Sequence, residues 1–154
     1  MLHINLQTAA TLTELSTRTI RRRMAAGLLK NAGNLEDHYK AMICLESIQP
    51  DISIPLEPDD IDLIKSADSG DAEAQNDLAL LFLENNKFKS AVYWLELAAQ
   101  QHVADAMQLL GECYLKGNGL PKDNNLAIMW IAKAASLGHP IALAQMQSLQ
   151  PTKT

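Results

Sequence analysis

The sequence predicts a mainly α protein, with an α-α helical-hairpin solenoid in its C-terminal two thirds and a small helical module before it. Three observations predict this. Alanine and leucine abound while aromatics are only 5% of 154 residues, a composition suited to closely packed helices and poor in the residues that fill sheet sandwiches. The chain aligns with itself at fixed offsets between residues 66 and 142. A segment with three prolines, Pro50, Pro55 and Pro58, interrupts helical patterning and separates the two regions.

The repeat is the strongest signal. Ala74, Leu78 and Phe82 match Ala106, Leu110 and Tyr114 at an offset of 32, and Trp94, Ala98, Ala99 and Ala106 match Trp130, Ala134, Ala135 and Ala142 at an offset of 36. The extra four residues fall between helices, where Gly117-Asn118-Gly119-Leu120-Pro121-Lys122-Asp123 replaces the shorter Glu84-Asn85-Asn86-Lys87; loops tolerate such insertions. Half-units flank the array, since residues 66–74 align with 134–142 at the summed offset of 68. Periodicity places helices at 59–69, 71–84, 87–101, 103–116, 124–137 and 141–149. Gly70 and Gly138 suit the left-handed residue that ends a helix, and Pro121 and Pro140 suit entry to the following one. Trp94, Trp130, Phe82 and Tyr114 fill the space between pairs, and the alanine pairs let helices approach.

Residues 106–142 resemble a Sel1-like repeat, a subclass of the tetratricopeptide helix-hairpin solenoids, through Ala106, Leu110, Gly111, Tyr114, Gly117, Gly119, Leu120, Asp123, Ala127, Trp130, Lys133, Ala134, Ala135, Gly138 and Ala142. The first unit is a degenerate copy, with Ala79 in place of the glycine after leucine and no Gly-x-Gly loop. The resemblance implies a scaffold that binds an unidentified protein partner along the face formed by the first helix of each pair. Gln75, Asn76, Gln108 and Glu112 are the expected exposed members of that face. So short an array also suits packing against a second copy as a homodimer.

Residues 8–27 are organised differently. Two short helices with a break at Leu15-Ser16 fit them, with Ser16 or Thr17 capping the second, Gly27 ending it, and Ala9, Leu12, Leu15, Ile20 and Met24 forming a small core. Through Ala9, Ala10, Leu12, Leu15, Ser16, Thr19 and Ile20 the segment resembles the DNA-binding helix-turn-helix of the MerR and phage-excisionase kind. Glu14 stands where that motif's turn usually has glycine. The resemblance implies that the second helix lies in the major groove of double-stranded DNA, with Thr17, Arg18, Arg21, Arg22 and Arg23 facing it. Residues 37–47 are then the source of a hairpin wing, with Lys40 toward a phosphate. The other reading of this basic helix is a contact with protein.

Charge follows the same division. Residues 1–50 hold six Lys/Arg and four acids, while the whole chain is at −5, so the halves suit different partners. The expected domains are 1–48, the helix-turn-helix-like module; 49–58, a proline-rich linker whose Ile52, Ile54 and Leu56 alternate as in a strand; 59–150, the repeats; and 151–154, a tail. Cys44 and Cys113 lie in no CxxC or Cys/His cluster, and His3, His38, His102 and His139 lack the spacing of a helical metal pair, so no metal, cofactor or catalytic site is expected. No stretch approaches the roughly 20 apolar residues of a membrane span, and the start lacks the features of a signal peptide. The combined expectation is a non-enzymatic, cytoplasmic regulatory adaptor that binds a protein through its repeats and DNA through its N-terminal module. The alternative is an assembly scaffold that binds protein alone.

Overall fold

The structure is a computed structural model describing residues 2–27 and 42–149. It forms two compact units, Met1–Ser69 and Gly70–Thr154.

The first unit is organised around a short antiparallel ribbon. Strand β1 (His3–Asn5) pairs with β2 (Met42–Cys44), setting Ile4 opposite Ile43, and both side chains are fully buried. Helix α1 (Leu6–Thr13) begins at Asn5, whose side chain accepts from the Thr8 N–H. Helix α2 (Thr17–Ala25) begins at Ser16, whose hydroxyl accepts from the Thr19 N–H at 3.1 Å. Each cap satisfies an N–H that has no carbonyl partner in the first helical turn. Between the helices Glu14 is left-handed, with φ 60°, the strained position that glycine would occupy at less cost. Ala9, Leu12 and Ile20 form the expected core, while Leu15 and Met24 are half-buried.

After β2, α3 (Leu45–Ile48) and a 3-10 turn (Gln49–Asp51) lead into the proline segment. That segment is held against the first unit, because the Ser53 N–H donates to the Leu12 carbonyl at 2.8 Å and Ile54 is buried. Helix α4 (Pro58–Asp68) follows, and the Asp68 carboxylate accepts from the Asn5 N–H at 3.0 Å and the Thr8 hydroxyl at 2.7 Å. Sequence offsets group this helix with the repeats. Its packing places it in the first unit, since one carboxylate bonds both β1 and the start of α1. Of the expected wing, 37–47, residues 37–41 with Lys40 lie outside the described residues; the remainder is corrected, since Met42–Cys44 pairs with β1 and the chain turns into α3 at Leu45 instead of continuing as a strand.

The second unit is a run of antiparallel helices, each packed on the next: α5 (Ala72–Glu84), α6 (Phe88–Gln100), α7 (Ala104–Lys116), α8 (Asn124–Ser136) and α9 (Pro140–Leu149). The predicted helix limits hold to within one or two residues, and the repeat register continues in the backbone. Gly70, His102 and Gly138, spaced by 32 and 36, are all left-handed, with φ of 104°, 67° and 85°. One residue later, Asp71 and His139 each accept from the N–H three residues on, at Ala74 and Ala142, whereas Val103 in the same position makes no side-chain cap. Pro140 opens α9 as expected. Pro121 precedes α8 by a short loop, and Asp123 caps that helix through the Leu126 N–H.

Apolar burial concentrates where consecutive helices meet: Leu78, Phe82, Trp94, Leu95, Leu110 and Ile131 are all at most 1% exposed. Helices α7 and α8 approach closely at Gly111, where an added Cβ would lie 2.6 Å from Ile131 Cγ1 and 3.0 Å from the Ala127 carbonyl oxygen. Alanine favours a helix over glycine by about 1 kcal/mol, but here overpacking works in the opposite direction by about 1–3 kcal/mol. The balance is a net loss of up to about 2 kcal/mol, so Gly111→Ala is expected to lower the thermal midpoint of the full chain by a few degrees, up to about 8 °C. An unchanged or raised midpoint in a calorimetric scan would contradict the close approach of α7 and α8.

Candidate functional site

Helix α2 carries the positive surface of the first unit. Arg18, Arg21 and Arg22 are exposed, whereas Thr17 is half-buried. Arg23 is also half-buried, and its Nη1 donates to Asp51 Oδ2 at 2.9 Å, so its guanidinium is partly engaged within the chain. Ile20 anchors the opposite face of α2 in the core, and this one anchor orients the arginines outward.

The first helices of the repeats behave differently from expectation. Gln75, Asn76 and Gln108 are 4%, 2% and 3% exposed, so the expected exposure of these three is corrected; Glu112 is half-buried. For Gln75 and Gln108 the reason is that their amides hydrogen-bond between helices. Gln101 Nε2 donates to Gln75 Oε1 at 2.7 Å, tying the end of α6 to α5. Gln108 Nε2 donates to Glu112 Oε1 at 2.9 Å and to Gln145 Oε1 at 3.1 Å, and Gln145 Nε2 donates to Glu112 Oε1 at 3.1 Å. This triangle fastens α9 to α7. Asn76 Oδ1 is buried without a hydrogen-bond partner. A polar residue in a repeat's first helix signals either solvent or such a clasp, and spacing alone does not separate the two.

His139 is a second fastening between α7 and α9. Its Nδ1 accepts from the Ala142 N–H at 3.2 Å, which puts the proton on Nε2, and Nε2 donates to Asp105 Oδ1 at 2.6 Å.

An open groove of about 420 Å³, which sequence reasoning did not identify, lies between the two repeats, lined from the end of α6, from α7 and from α8. Ala99, Met107, Trp130 and Leu137 supply its apolar lining, and His102 and Lys133 contribute polar groups. Lys133 Nζ stands 4.8 Å from the centroid of the Trp130 ring, within the range of a cation–π contact. The available signal was the repeat itself: Lys133 and Leu137 stand where the first unit has Leu97 and Gln101.

The two thiols are buried and unpaired with each other. Burial raises the Cys113 pKa to about 11, the Glu112 charge adds to the rise, and Lys116 opposes it. Tyr114 is raised in the same direction by burial and by Glu96 and Asp123. Among the described residues no group of three or more His, Cys, Asp or Glu converges as a metal site would require, and no helix is long and apolar enough to cross a membrane. A thiol whose folded-state pKa is raised contributes stability that is complete below its usual value of 9.0 and is lost as pH rises through about 11. Denaturant midpoints are therefore expected to fall between these pH values, and Cys113→Ala should make the fall shallower. An equal decline in the variant would remove Cys113 as a cause.

Comparison with known proteins agrees with this geometry. The family model described as the Sel1 repeat matches residues 72–103 and 104–139, the same steps as the internal offsets. Among solved structures, a Sel1 repeat protein from Oxalobacter formigenes is similar at 34% identity with a TM-score of 0.54, over 57% of this chain and 27% of that one. The match thus spans about a quarter of the length of that relative. The second unit is a helical-hairpin solenoid similar to Sel1 repeat proteins, and its repeats suggest a protein–protein interaction adaptor.

Proposed function

We propose that the chain is a non-enzymatic regulatory adaptor whose repeats hold a protein partner and whose N-terminal unit contacts double-stranded DNA through α2. The observation that carries the protein-binding part is the pair of Sel1 repeat matches on consecutive hairpins. The partner is taken on the face formed by the first helices, with Glu112 its reachable member and Gln75, Asn76 and Gln108 supporting that surface from beneath. Removing the charge with Glu112→Gln, which keeps an Oε1 acceptor for Gln108 and Gln145, is expected to weaken recovery of the partner that co-purifies with the tagged full-length chain at least tenfold, with circular dichroism unchanged. Undiminished recovery of that partner would place its contact elsewhere.

Three features support the DNA reading: the short turn between α1 and α2, the left-handed residue within it, and three exposed arginines on the second helix. Each phosphate contact contributes about 0.9 to the slope of log affinity against log salt. Arg21→Ala/Arg22→Ala is therefore expected to weaken binding to mixed-sequence duplex at least tenfold in fluorescence anisotropy and to reduce that slope by about 2. Equal weak binding by wild type and variant removes the DNA reading. The Arg23–Asp51 pair favours a second reading, in which α2 contacts protein carboxylates and the adaptor has no nucleic-acid role. Under that reading the same double variant loses the co-purifying partner.

A further inference from the structure

The groove between the two repeats combines features that select a ligand. Its volume of about 420 Å³ lies within the range of sites that enclose a small-molecule-sized group, about 300–1,000 Å³. The lining contains a single formal cation, Lys133, and no carboxylate. Among the described residues no acid stands within ion-pair distance of Lys133, and its ammonium lies over the face of Trp130. Leu137 is 53% exposed beside it. In the first repeat Trp94 is 1% exposed, and Leu97 and Gln101 take the places of Lys133 and Leu137. The second repeat thus pairs an accessible indole and leucine with a cation at its own positions.

An ammonium beside apolar walls attracts a carboxylate more strongly than one surrounded by water, because the walls lower the local dielectric. Residues 70–154 hold six lysines and eight acids, a nearly balanced charge, and the groove's lining carries a cation with no acid in it. The cation and the apolar walls of the groove therefore complement an occupant that carries both a carboxylate and an apolar side chain. We propose that it binds an extended segment of the protein partner in which an apolar side chain is followed by an acidic one. The apolar side chain lies against Trp130 and Leu137, the carboxylate pairs with Lys133 Nζ, and His102 lines the groove. This inference rests on the adaptor reading and supplies that reading with a partner chemistry at a site separate from Glu112.

The test uses the full-length protein and fluorescein-labelled pentapeptides, acetylated and amidated, with Leu-Glu, Leu-Gln or Leu-Lys at the centre, followed by anisotropy. The Leu-Glu peptide is expected to bind at least tenfold more tightly than the other two. Lys133→Met should reduce it to the affinity of the Leu-Gln peptide, and Lys133→Glu should reverse the preference toward Leu-Lys. Absence of binding, equal affinities for the three peptides, or an unchanged preference in Lys133→Glu would overturn the proposal. So would a tenfold gain on freeing the C-terminus of the Leu-Gln peptide to match the blocked Leu-Glu peptide, because the recognised group would then be a terminal carboxylate. Failure here with a partner still retained through Glu112 overturns the groove alone, whereas a chain that retains no partner overturns the adaptor reading.

Discussion

A missing side chain governs the second hairpin. At Gly111 the backbone of α7 lies against Ile131 and the Ala127 carbonyl of α8, closer than any residue with a Cβ tolerates. The two helices meet at that point with Ala106, Leu110, Ala127 and Ala134 all buried beside it. In the first hairpin the corresponding residue is Ala79, also fully buried, so that pair accommodates a methyl group where the second does not. The inter-helix loop shows the same constraint. An added Cβ on Gly119, whose φ is 79°, would lie 2.5 Å from the Phe88 carbonyl oxygen. Gly119 thus lets the longer loop lie on the start of α6, and it leaves no space for an ordinary residue.

Within this close-packed frame, polar groups set which helices stay together. Gln75 with Gln101, the Gln108–Glu112–Gln145 triangle and the His139–Asp105 pair link helices through groups that burial would otherwise penalise. Satisfied networks of this kind favour one arrangement over alternatives, because a shifted register leaves each member without its partner. The surface available to a partner is correspondingly different from the one polarity alone suggests. Amides that look available along the helices are consumed inside, and the accessible chemistry moves to Glu112 and to the groove at Trp130 and Lys133.

The first unit follows another logic. Ile4, Leu12, Ile20, Ile43, Ile48 and Ile64 are fully buried in it, and a three-residue ribbon, two capped helices and the Asp68 carboxylate fix the elements around that aliphatic core. Its left-handed Glu14 keeps the turn between α1 and α2 short despite the cost to a residue with a Cβ. The result is a rigidly based α2 with three arginines facing outward.

By itself the sequence determined the helical class, the 32- and 36-residue register, nearly all helix limits in the repeats, and the two-helix arrangement ahead of them. Each depends on periodicity, caps and turn residues, which are local and leave a direct trace in residue order: Gly70 and Gly138 end helices wherever the chain folds next. Only the tertiary structure decided that α4 belongs with β1 and α1, that Gln75, Asn76 and Gln108 lie inside, that Arg23 is engaged by Asp51, and that Trp130 remains open while Trp94 is sealed. These outcomes turn on which group, distant in sequence, arrives opposite each side chain. A carboxylate at Asp68 or an amide at Gln108 reads the same in sequence whether it meets water or a partner, and hydrogen-bond geometry between separate elements decides which.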